Sequence, residues 1–296
     1  MSLLTIAETP VADLRRILEL GAAVKADPLS YRGALGGRSI GLFFQKQSLR
    51  TWVSCDVAAI QLGIHPIVIR NDQTGLGTRE TPEDVGRALE RYLDLLGMRV
   101  FDHGDLAAID AATEMPLVNL LSDREHPCQA VADLMTLAEH RPIEGSKVAY
   151  LGDGNNVCHS LMLATTKAGG SITVATPPGY EPDVDVVALA RTFGDVDLTE
   201  DPHGAVTGAD AVYTDVWASM GQETEADLRR RHFARFQVDD AVMTAAGPEA
   251  IFLHCLPAHR GEEVTDSVME SGRSRVFDQA ENRLHAFKAI LLHLLG

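Results

Sequence analysis

Short apolar segments alternate with helical segments along most of this chain, and this alternation limits the possible folds more than any other feature. Several of the apolar segments are hydrophobic at consecutive positions, as strands are when helices cover both faces of a sheet. Such alternation predicts an α/β fold with parallel sheets and right-handed crossovers. The candidate strands are Ser39–Phe44, Pro66–Ile69, Met98–Phe101, Pro116–Leu120, Lys147–Leu151, Ser171–Thr176, Ala211–Asp215 and Ile251–Leu256.

Two of the predicted helices carry recognisable start signals. Ser48 precedes a helical segment, Leu49–Leu62, that Gly63 closes; a serine before and a glycine after are typical of helix ends. Further along, Thr81-Pro82-Glu83-Asp84 combines a capping hydroxyl with proline in the first turn and an acid at the third position.

A domain boundary is expected at Glu139–Ser146, where His-Arg-Pro and a glycine interrupt a helix before a new strand. With 296 residues, the chain is long enough for two domains. We therefore expect two domains, each a parallel sheet flanked by helices, joined by interdomain helices. The first spans residues 1–138, with the C-terminal helix 279–296 packing back on it, and the second spans residues 139–278.

A formal net charge of −16 makes nucleic acid and anionic membranes improbable partners. An anionic substrate would need a local cationic pocket, which makes the positions of individual arginines informative. We expect neither a signal peptide nor a membrane-spanning segment, and the four cysteines are too few for a disulfide framework. These features favour a cytoplasmic protein.

Two motifs in the first half can bind an anion. Ser48-Leu49-Arg50-Thr51 places hydroxyls, backbone N–H groups and an arginine at a helix N-terminus, an arrangement suited to phosphate. His126-Pro127-Cys128-Gln129 follows another predicted strand, and its histidine and glutamine can both reach one ligand. The alternative readings are a capped helix with a surface arginine and a hydrogen-bonded loop histidine.

Three motifs in the second half follow strand ends in the same way. Gly152-Asp153-Gly154-Asn155-Asn156 lacks the third glycine of a dinucleotide loop, so its asparagines suit an amino acid better than a nicotinamide cofactor. Asp215-Val216-Trp217-Ala218-Ser219-Met220-Gly221 offers a carboxylate to an ammonium group. A capped helix with a tight turn explains the asparagine motif equally well, and a loop aspartate that caps the next helix is the alternative for Asp215. His254-Cys255-Leu256-Pro257 invites a zinc interpretation, but its spacing matches no usual zinc site.

Taken in order, these five motifs resemble the ornithine carbamoyltransferases of the aspartate/ornithine transcarbamylase family. The resemblance continues through Ala258-His259-Arg260-Gly261-Glu262-Glu263 and Glu281-Asn282-Arg283. It covers nearly the whole chain, and the combination of motifs is highly specific. It implies transfer of a carbamoyl group from carbamoyl phosphate to an amino acid's side-chain amine, as in citrulline formation for arginine biosynthesis.

The resemblance also implies roles for individual residues. Those expected to bind carbamoyl phosphate are Ser48, Leu49, Arg50, Thr51, Arg99, His126, Gln129 and Arg283. Those expected to bind the amino acid are Asn156, Asp215, Ser219, Met220, Cys255 and Leu256. The expected catalytic residues are Arg50, Arg99, His126, Asp215 and Cys255. No metal or organic cofactor is implied, and the assembly expected is a homotrimer with shared active sites.

Three positions depart from the family pattern. Trp52 stands where the phosphate motif normally ends in a second arginine, and Gln45 stands where an acid is usual. Joint loss of a structural ion pair is one hypothesis for this double change. Gly75 replaces a glutamine that commonly reaches the neighbouring subunit's site. Two alternatives to ornithine carbamoylation therefore stay open: a carbamoyltransferase for another diamino acid, such as 2,3-diaminopropionate, and a non-catalytic binding relative.

Overall fold

The computed structural model describes residues 1–218 and 223–296. The chain divides into two compact units, one formed by residues 1–135 with 281–296 and the other by residues 136–280. Each unit contains one parallel β-sheet flanked by helices. The predicted α/β class with two parallel sheets is confirmed.

The first unit contains a four-stranded sheet with the order β2-β1-β3-β4, in which every neighbouring pair is parallel. The strands are β1 (Ser39–Phe44), β2 (His65–Arg70), β3 (Leu95–Arg99) and β4 (Leu117–Leu121). The helices are α1 (Val11–Ala26), α2 (Leu49–Gln61), α3 (Asn71–Thr74), α4 (Pro82–Leu89) and α5 (His103–Ala112). On one side of this sheet, Phe43, Leu96 and Met98 pack with Leu106 and Ile109 of α5 in a buried apolar cluster.

Both helix starts predicted in this unit are confirmed. Ser48 caps α2 and accepts a hydrogen bond from the backbone N–H of Thr51. Thr81 caps α4 in the same way, with Pro82 in the first turn and Asp84 N–H as the donor. Each hydroxyl satisfies an amide that has no partner within its own helix.

The second unit contains a five-stranded parallel sheet with the order β7-β6-β5-β8-β9. The strands are β5 (Lys147–Leu151), β6 (Ser171–Ala175), β7 (Val196–Thr199), β8 (Ala211–Thr214) and β9 (Ile251–His254). The helices are α7 (Asn156–Lys167), α8 (Val184–Ala190), α9 (Pro202–Val206), α10 (Ala226–Phe233), α11 (Asp240–Ala246) and α12 (Asp266–Met269), with 3₁₀ turns at Glu223–Glu225 and Ala234–Phe236. Two helices, α6 (Pro127–Ala138) and α13 (Val276–Leu295), each contribute residues to both units.

Most predicted strands agree with the structure to within two residues at each end, and two strands differ more. The prediction missed β7, a four-residue edge strand whose middle residues are exposed, so it lacks the apolar run of a central strand. It also placed β3 at Met98–Phe101, whereas the strand runs from Leu95 to Arg99. Leu95 and Leu96 are fully buried between β1 and β4, and Arg99 ends the strand opposite Phe44.

None of the helices in the described ranges combines the length and the apolar character needed to span a bilayer.

Gly154 provides a test of the turn that leads from β5 into α7. A Cβ at this position would lie 2.5 Å from the carbonyl carbon of Glu181 and closer still to the backbone nitrogen of Pro182. Because backbone atoms cannot move aside cheaply, we expect Gly154→Ala to lower the free energy of unfolding by about 1–3 kcal/mol. Urea titration followed by circular dichroism measures this change.

Gly272 is the matched control, because a Cβ there would meet nothing within 4 Å. We expect Gly272→Ala to leave stability unchanged or raise it by up to about 1 kcal/mol. Equal unfolding curves for the two variants would contradict the proposed backbone clash.

Candidate active site

In both sheets the crossovers change direction between two neighbouring strands, and the polar motifs follow those strands. In the first sheet the change lies between β1 and β3, and in the second it lies between β5 and β8. Loops that leave such a pair diverge, so a crevice opens at the carboxyl ends of the strands, where ligands of open α/β sheets bind. Each unit therefore contains one candidate ligand-binding crevice.

In the first unit, the N-terminus of α2 and the end of β3 lie on either side of this crevice. Ser48 to Thr51 form the first turn of α2, with Thr51 buried and Leu49 exposed. Arg99 is the last residue of β3 and is only 9% exposed. A helix N-terminus beside a buried guanidinium forms an anion-binding arrangement.

Arg283 links three of the predicted carbamoyl-phosphate residues. It lies on α13, and its Nη2 donates to Thr51 Oγ1 at 2.9 Å. Its Nη1 donates to Gln129 Oε1 and lies 3.5 Å from His126 Nε2. Gln129 in turn donates to Asp133 Oδ1 at 2.8 Å. The prediction had grouped these residues by function, and the structure places them in one hydrogen-bonded network.

His126 is neutral near pH 7 in this environment. Burial lowers the pKa of its imidazole well below the usual value of 6.5, and the positive charges of Arg283 and Arg99 lower this pKa further. A neutral imidazole accepts a hydrogen bond at one ring nitrogen and donates at the other. Since Nε2 faces the Arg283 guanidinium, we assign the proton to Nδ1, whose N–H group is a hydrogen-bond donor.

A cavity of about 520 Å³ adjoins the start of α2. Its wall includes Ser48 and Leu49 together with two of the three departures from the family pattern, Gln45 and Trp52. The Gln45 side chain accepts from Phe101 N–H at 2.8 Å and lies 3.4 Å from an Asp105 oxygen. The hypothesis that Gln45 and Trp52 replace an ion pair as a unit stays a hypothesis.

Gly75, the third departure, is a turn position. Its φ of +65° lies in the left-handed region, and a Cβ there would lie 2.8 Å from Arg79 Cβ. Its N–H donates to Asn71 O, and its carbonyl accepts from the N–H groups of Thr78 and Arg79. A glutamine could not adopt this backbone conformation without strain, so the loop is built around glycine.

In the second unit, a buried carboxylate lies at the end of β8. Asp215 is 5% exposed and receives two hydrogen bonds, one from Asn155 Nδ2 and one from Cys255 Sγ, each at 3.0 Å. These two partners come from the loops after β5 and β9, the strands on either side of β8. Three neighbouring strand ends thus converge on one carboxylate.

Asn155, which lies in the predicted Gly152–Asn156 motif but not among the residues expected to bind the amino acid, contacts Asp215 directly. Its Oδ1 caps α7 by accepting from the N–H groups of Val157 and Cys158, which leaves Nδ2 to donate to Asp215. Asn156, the residue that was selected, is the first residue of α7. The signal that distinguishes the two asparagines is the capping position, one residue before the helix begins.

A buried hydrogen-bonded pair, His254 and Glu263, holds the segment that contains Cys255. His254 is fully buried; its Nε2 donates to Glu263 Oε1 at 3.2 Å and its Nδ1 accepts from Leu256 N–H at 2.9 Å. Glu263 also accepts from His259 N–H. Leu256 has a φ of +60°, a conformation that few non-glycine residues adopt. Buried hydrogen bonds therefore hold the backbone of this loop next to the Cys255 thiol.

Two other predicted residues, Ser219 and Met220, lie outside the described residues.

Two groups of side chains in the described ranges have potential metal-ligand atoms within 4.8 Å of one another: Asp215 with His254 and Cys255, and His259 with Glu262 and Glu263. Both ring nitrogens of His254 already have protein partners. Glu262 accepts from Arg230, which occupies one oxygen in the second group. We assign no metal to either group.

Comparisons with known proteins match both units. Residues 1–139 match the family model for the carbamoyl-P binding domain of aspartate/ornithine carbamoyltransferase, and residues 144–294 match its Asp/Orn binding domain. The chain is 50% identical to the ornithine carbamoyltransferase of Pyrococcus abyssi over 268 residues, which cover 88% of this chain and 84% of that protein. It is 46% identical to the ornithine carbamoyltransferase of Synechocystis over 99% of this chain and 96% of the relative.

Among solved structures, the ornithine carbamoyltransferase of Pyrococcus furiosus matches with a TM-score of 0.94 and 47% sequence identity. The match covers 98% of this chain and 95% of that one.

The low pKa of His126 has a consequence for stability. Below pH 6.5 the unfolded chain binds a proton at this histidine that the folded chain does not bind, so the histidine's contribution to stability is lost as the pH falls through that value. We expect His126→Gln to reduce the pH dependence between pH 7 and pH 5, by up to about 1.4 kcal/mol per pH unit. Urea unfolding at a series of pH values measures the slope.

His65→Gln is the control, since His65 is exposed on β2. The control variant should retain the slope of the unmodified protein. The interpretation fails if both variants show the same slope.

Proposed function

Because the chain belongs to the aspartate/ornithine carbamoyltransferase family, we propose that it transfers the carbamoyl group of carbamoyl phosphate to the side-chain amine of L-ornithine, releasing L-citrulline and phosphate. The first unit would bind carbamoyl phosphate and the second the amino acid. The observation that carries the choice of an amine-bearing acceptor is Asp215, a buried carboxylate at the strand-end crevice of the second unit. A buried carboxylate repels the side chain of aspartate and attracts an ammonium group.

The chemistry of the first unit supports carbamoyl phosphate as the donor substrate. We propose that Ser48, Leu49, Arg50 and Thr51 bind the phosphate with the amides and hydroxyls of the first turn of α2. Arg99 would supply a second cation. Arg283 retains a full positive charge, because its partners Thr51, Gln129 and His126 are uncharged. Its charge is therefore available to a bound anion.

The reaction requires donors that stabilise charge as it develops. Attack by the neutral amine on the carbamoyl carbon builds negative charge on the carbonyl oxygen, and breaking the C–O bond leaves phosphate as an anion. We propose that His126 Nδ1–H, Gln129 and Arg283 stabilise the first charge, while Arg50 and Arg99 stabilise the second. Donors fixed before reaction are the largest source of rate enhancement in many acyl transfers.

In the second unit, we propose that Asp215 positions the amine, which attacks the carbamoyl carbon in its neutral form. The proton released as the C–N bond forms leaves with the phosphate. Cys255, 3.0 Å from Asp215 Oδ1, and Leu256 would line the same position. Asn156, Ser219 and Met220 would bind the amino acid's other groups. Asp215 selects an amine but does not define the length of the chain that bears it, so a homologous diamino acid is the second candidate acceptor.

We also propose a cytoplasmic enzyme that supplies citrulline for arginine biosynthesis. The four cysteines support the compartment, because all are free thiols and three are fully buried. A relative from Pyrococcus furiosus, 50% identical, is named an anabolic ornithine carbamoyltransferase, which supports the biosynthetic direction.

A homotrimer with shared active sites is proposed as the working assembly. An exposed apolar stripe on α2, formed by Leu49, Trp52, Val53 and Ile60, supports it. The strand that follows α2 in the chain, β2, lies at the edge of the four-stranded sheet. Apolar residues at this density on one helix face are typical of a surface that another chain covers.

Citrulline formation tests the proposed reaction directly. The purified protein is incubated with carbamoyl phosphate and L-ornithine, and citrulline and phosphate are measured together. We expect equimolar products, and a fall in kcat of about 100- to 1,000-fold in Arg50→Ala, because one stabilising donor is lost. Parallel reactions contain 2,3-diaminopropionate, 2,4-diaminobutyrate, lysine and aspartate.

Arg16→Ala is the control for the loss of an exposed arginine on α1, and it should retain full activity. Turnover with a different diamino acid and none with ornithine would replace the proposed acceptor. A folded protein that binds carbamoyl phosphate but transfers it to no amine would refute the enzymatic proposal.

The trimer is tested by light scattering after size-exclusion chromatography. Val53 is 50% exposed on the apolar stripe, and we expect Val53→Asp to shift the protein toward monomer because a buried, unpaired carboxylate destabilises an interface. Val184→Asp, at an exposed valine of the second unit, should remain trimeric. Monomeric unmodified protein would rule out the proposed assembly.

A further inference from the structure

Arg229 is a buried arginine that none of the sequence motifs contains. It lies on α10 and is only 7% exposed, although both neighbours on its C-terminal side, Arg230 and Arg231, are exposed. Burying a guanidinium is costly unless its donors find partners. Its position therefore indicates a role that an ordinary surface arginine does not have.

Four groups surround the Arg229 guanidinium. Nη1 donates to Asp153 Oδ2 and to the backbone carbonyl of Trp217, each at 2.9 Å. Nε donates to Glu225 Oε2 at 3.3 Å, and the Tyr180 ring lies 5.0 Å from Cζ. The planar fork of an arginine can hold partners in several directions at once, which a lysine ammonium on a flexible stem does less well.

The first two partners belong to the two loops that frame the crevice of the second sheet. Asp153 lies between the end of β5 and the Asn155 cap of α7. Trp217 lies two residues after Asp215, and the chain continues from it toward Ser219 and Met220. One guanidinium thus joins the loop that holds Asn155 to the segment that begins with Asp215.

The ionisation of the Asp153 carboxyl depends on this arginine. Burial raises the pKa of its carboxyl to about 6, and the charge and hydrogen bond of Arg229 oppose that rise. Without the guanidinium, the carboxyl would lose the interaction that favours its ionised form, and the Trp217 carbonyl would lose a donor. The loop after β5 and the segment after β8 would then both become more mobile.

We propose that Arg229 is a positioning residue for the amino-acid substrate: by joining the loop after β5 to the segment after β8, it sets the affinity for the acceptor amine without touching it. This inference rests on the proposed carbamoyl transfer to ornithine. Carbamoyl phosphate binds to residues of the other unit, so its binding should not depend on Arg229.

Steady-state kinetics of Arg229→Met and Arg229→Lys test the proposal. In Arg229→Met we expect the KM for ornithine to rise about 10- to 100-fold, because a misplaced binding group loses most of its benefit. The KM for carbamoyl phosphate should stay within about twofold of the original value. Arg229→Lys should recover part of the ornithine affinity, since it restores the charge beside Asp153 but not the second directed hydrogen bond.

Arg230→Met is the matched control, because Arg230 is the next residue on α10, is exposed, and forms ion pairs with Asp227 and Glu262. It should leave both KM values unchanged. An unchanged KM for ornithine in Arg229→Met, or an equal rise of both KM values in Arg229→Lys, would overturn the proposal.

Hydrogen–deuterium exchange separates this inference from the proposed reaction, because it needs no turnover. In both Arg229 variants the amides of residues 152–157 and 211–218 should exchange faster than in Arg230→Met, while those of residues 39–51 should not. If the unmodified protein makes no citrulline, the reaction is wrong, and exchange still decides the positioning role. Exchange equal to that of Arg230→Met in both loops would refute it.

Discussion

Parallel pairing of the strands is the constraint on which the rest of this structure depends. In both sheets every neighbouring pair of described strands is parallel, so all the carboxyl ends of a sheet lie at one edge. The chain must return to the opposite edge before each new strand, and helices such as α2 and α7 make that return. Helix N-termini therefore collect at the edge where the strands end. Residues as distant in sequence as Asn155, Asp215 and Cys255 meet there because β5, β8 and β9 are neighbours.

Two buried arginines of this acidic chain, Arg229 and Arg283, differ in the charge of their hydrogen-bond partners. Arg229 faces Asp153 and Glu225, so its charge is matched within the protein and its donors serve to join loops. Among the described residues, Arg283 has the uncharged side chains of Thr51, Gln129 and His126 as its hydrogen-bond partners. The low pKa of His126 is a consequence of the same field, since burial and two nearby guanidinium groups all disfavour a third positive charge. A buried cation with neutral partners is costly in the absence of a ligand and favourable once an anion binds. Such a group suits binding better than stability.

Local signals in the sequence were sufficient for the fold class, most strands and the helix caps. Ser48 and Thr81 could be recognised because a capping hydroxyl acts within three residues of its own position. The strand β7 could not, because an edge strand with exposed residues lacks the apolar run that marks a central one. The structural roles of Asn155 and Arg229 could not be predicted for a different reason. The value of each depends on a partner more than fifty residues away, Asp215 for the asparagine and Asp153 for the arginine, and periodicity carries no information about such pairs. The resemblance to the family identified the candidate site residues, whereas their hydrogen-bond partners became visible only in the structure.

The three departures from the family pattern leave Arg283 and its hydrogen-bond partners in place. Gly75 is the pivot of a turn closed by its own backbone hydrogen bonds, and its left-handed φ explains why a glycine stands there. Gln45 retains two hydrogen-bonding neighbours, and Trp52 presents an indole to the cavity that adjoins α2. None of the three is a partner of Arg283. A chain released from catalysis would have no need to retain a buried cation among neutral groups, because replacing it by an apolar side chain would remove a desolvation cost. The presence of Arg283 therefore favours an enzyme that binds an anionic substrate.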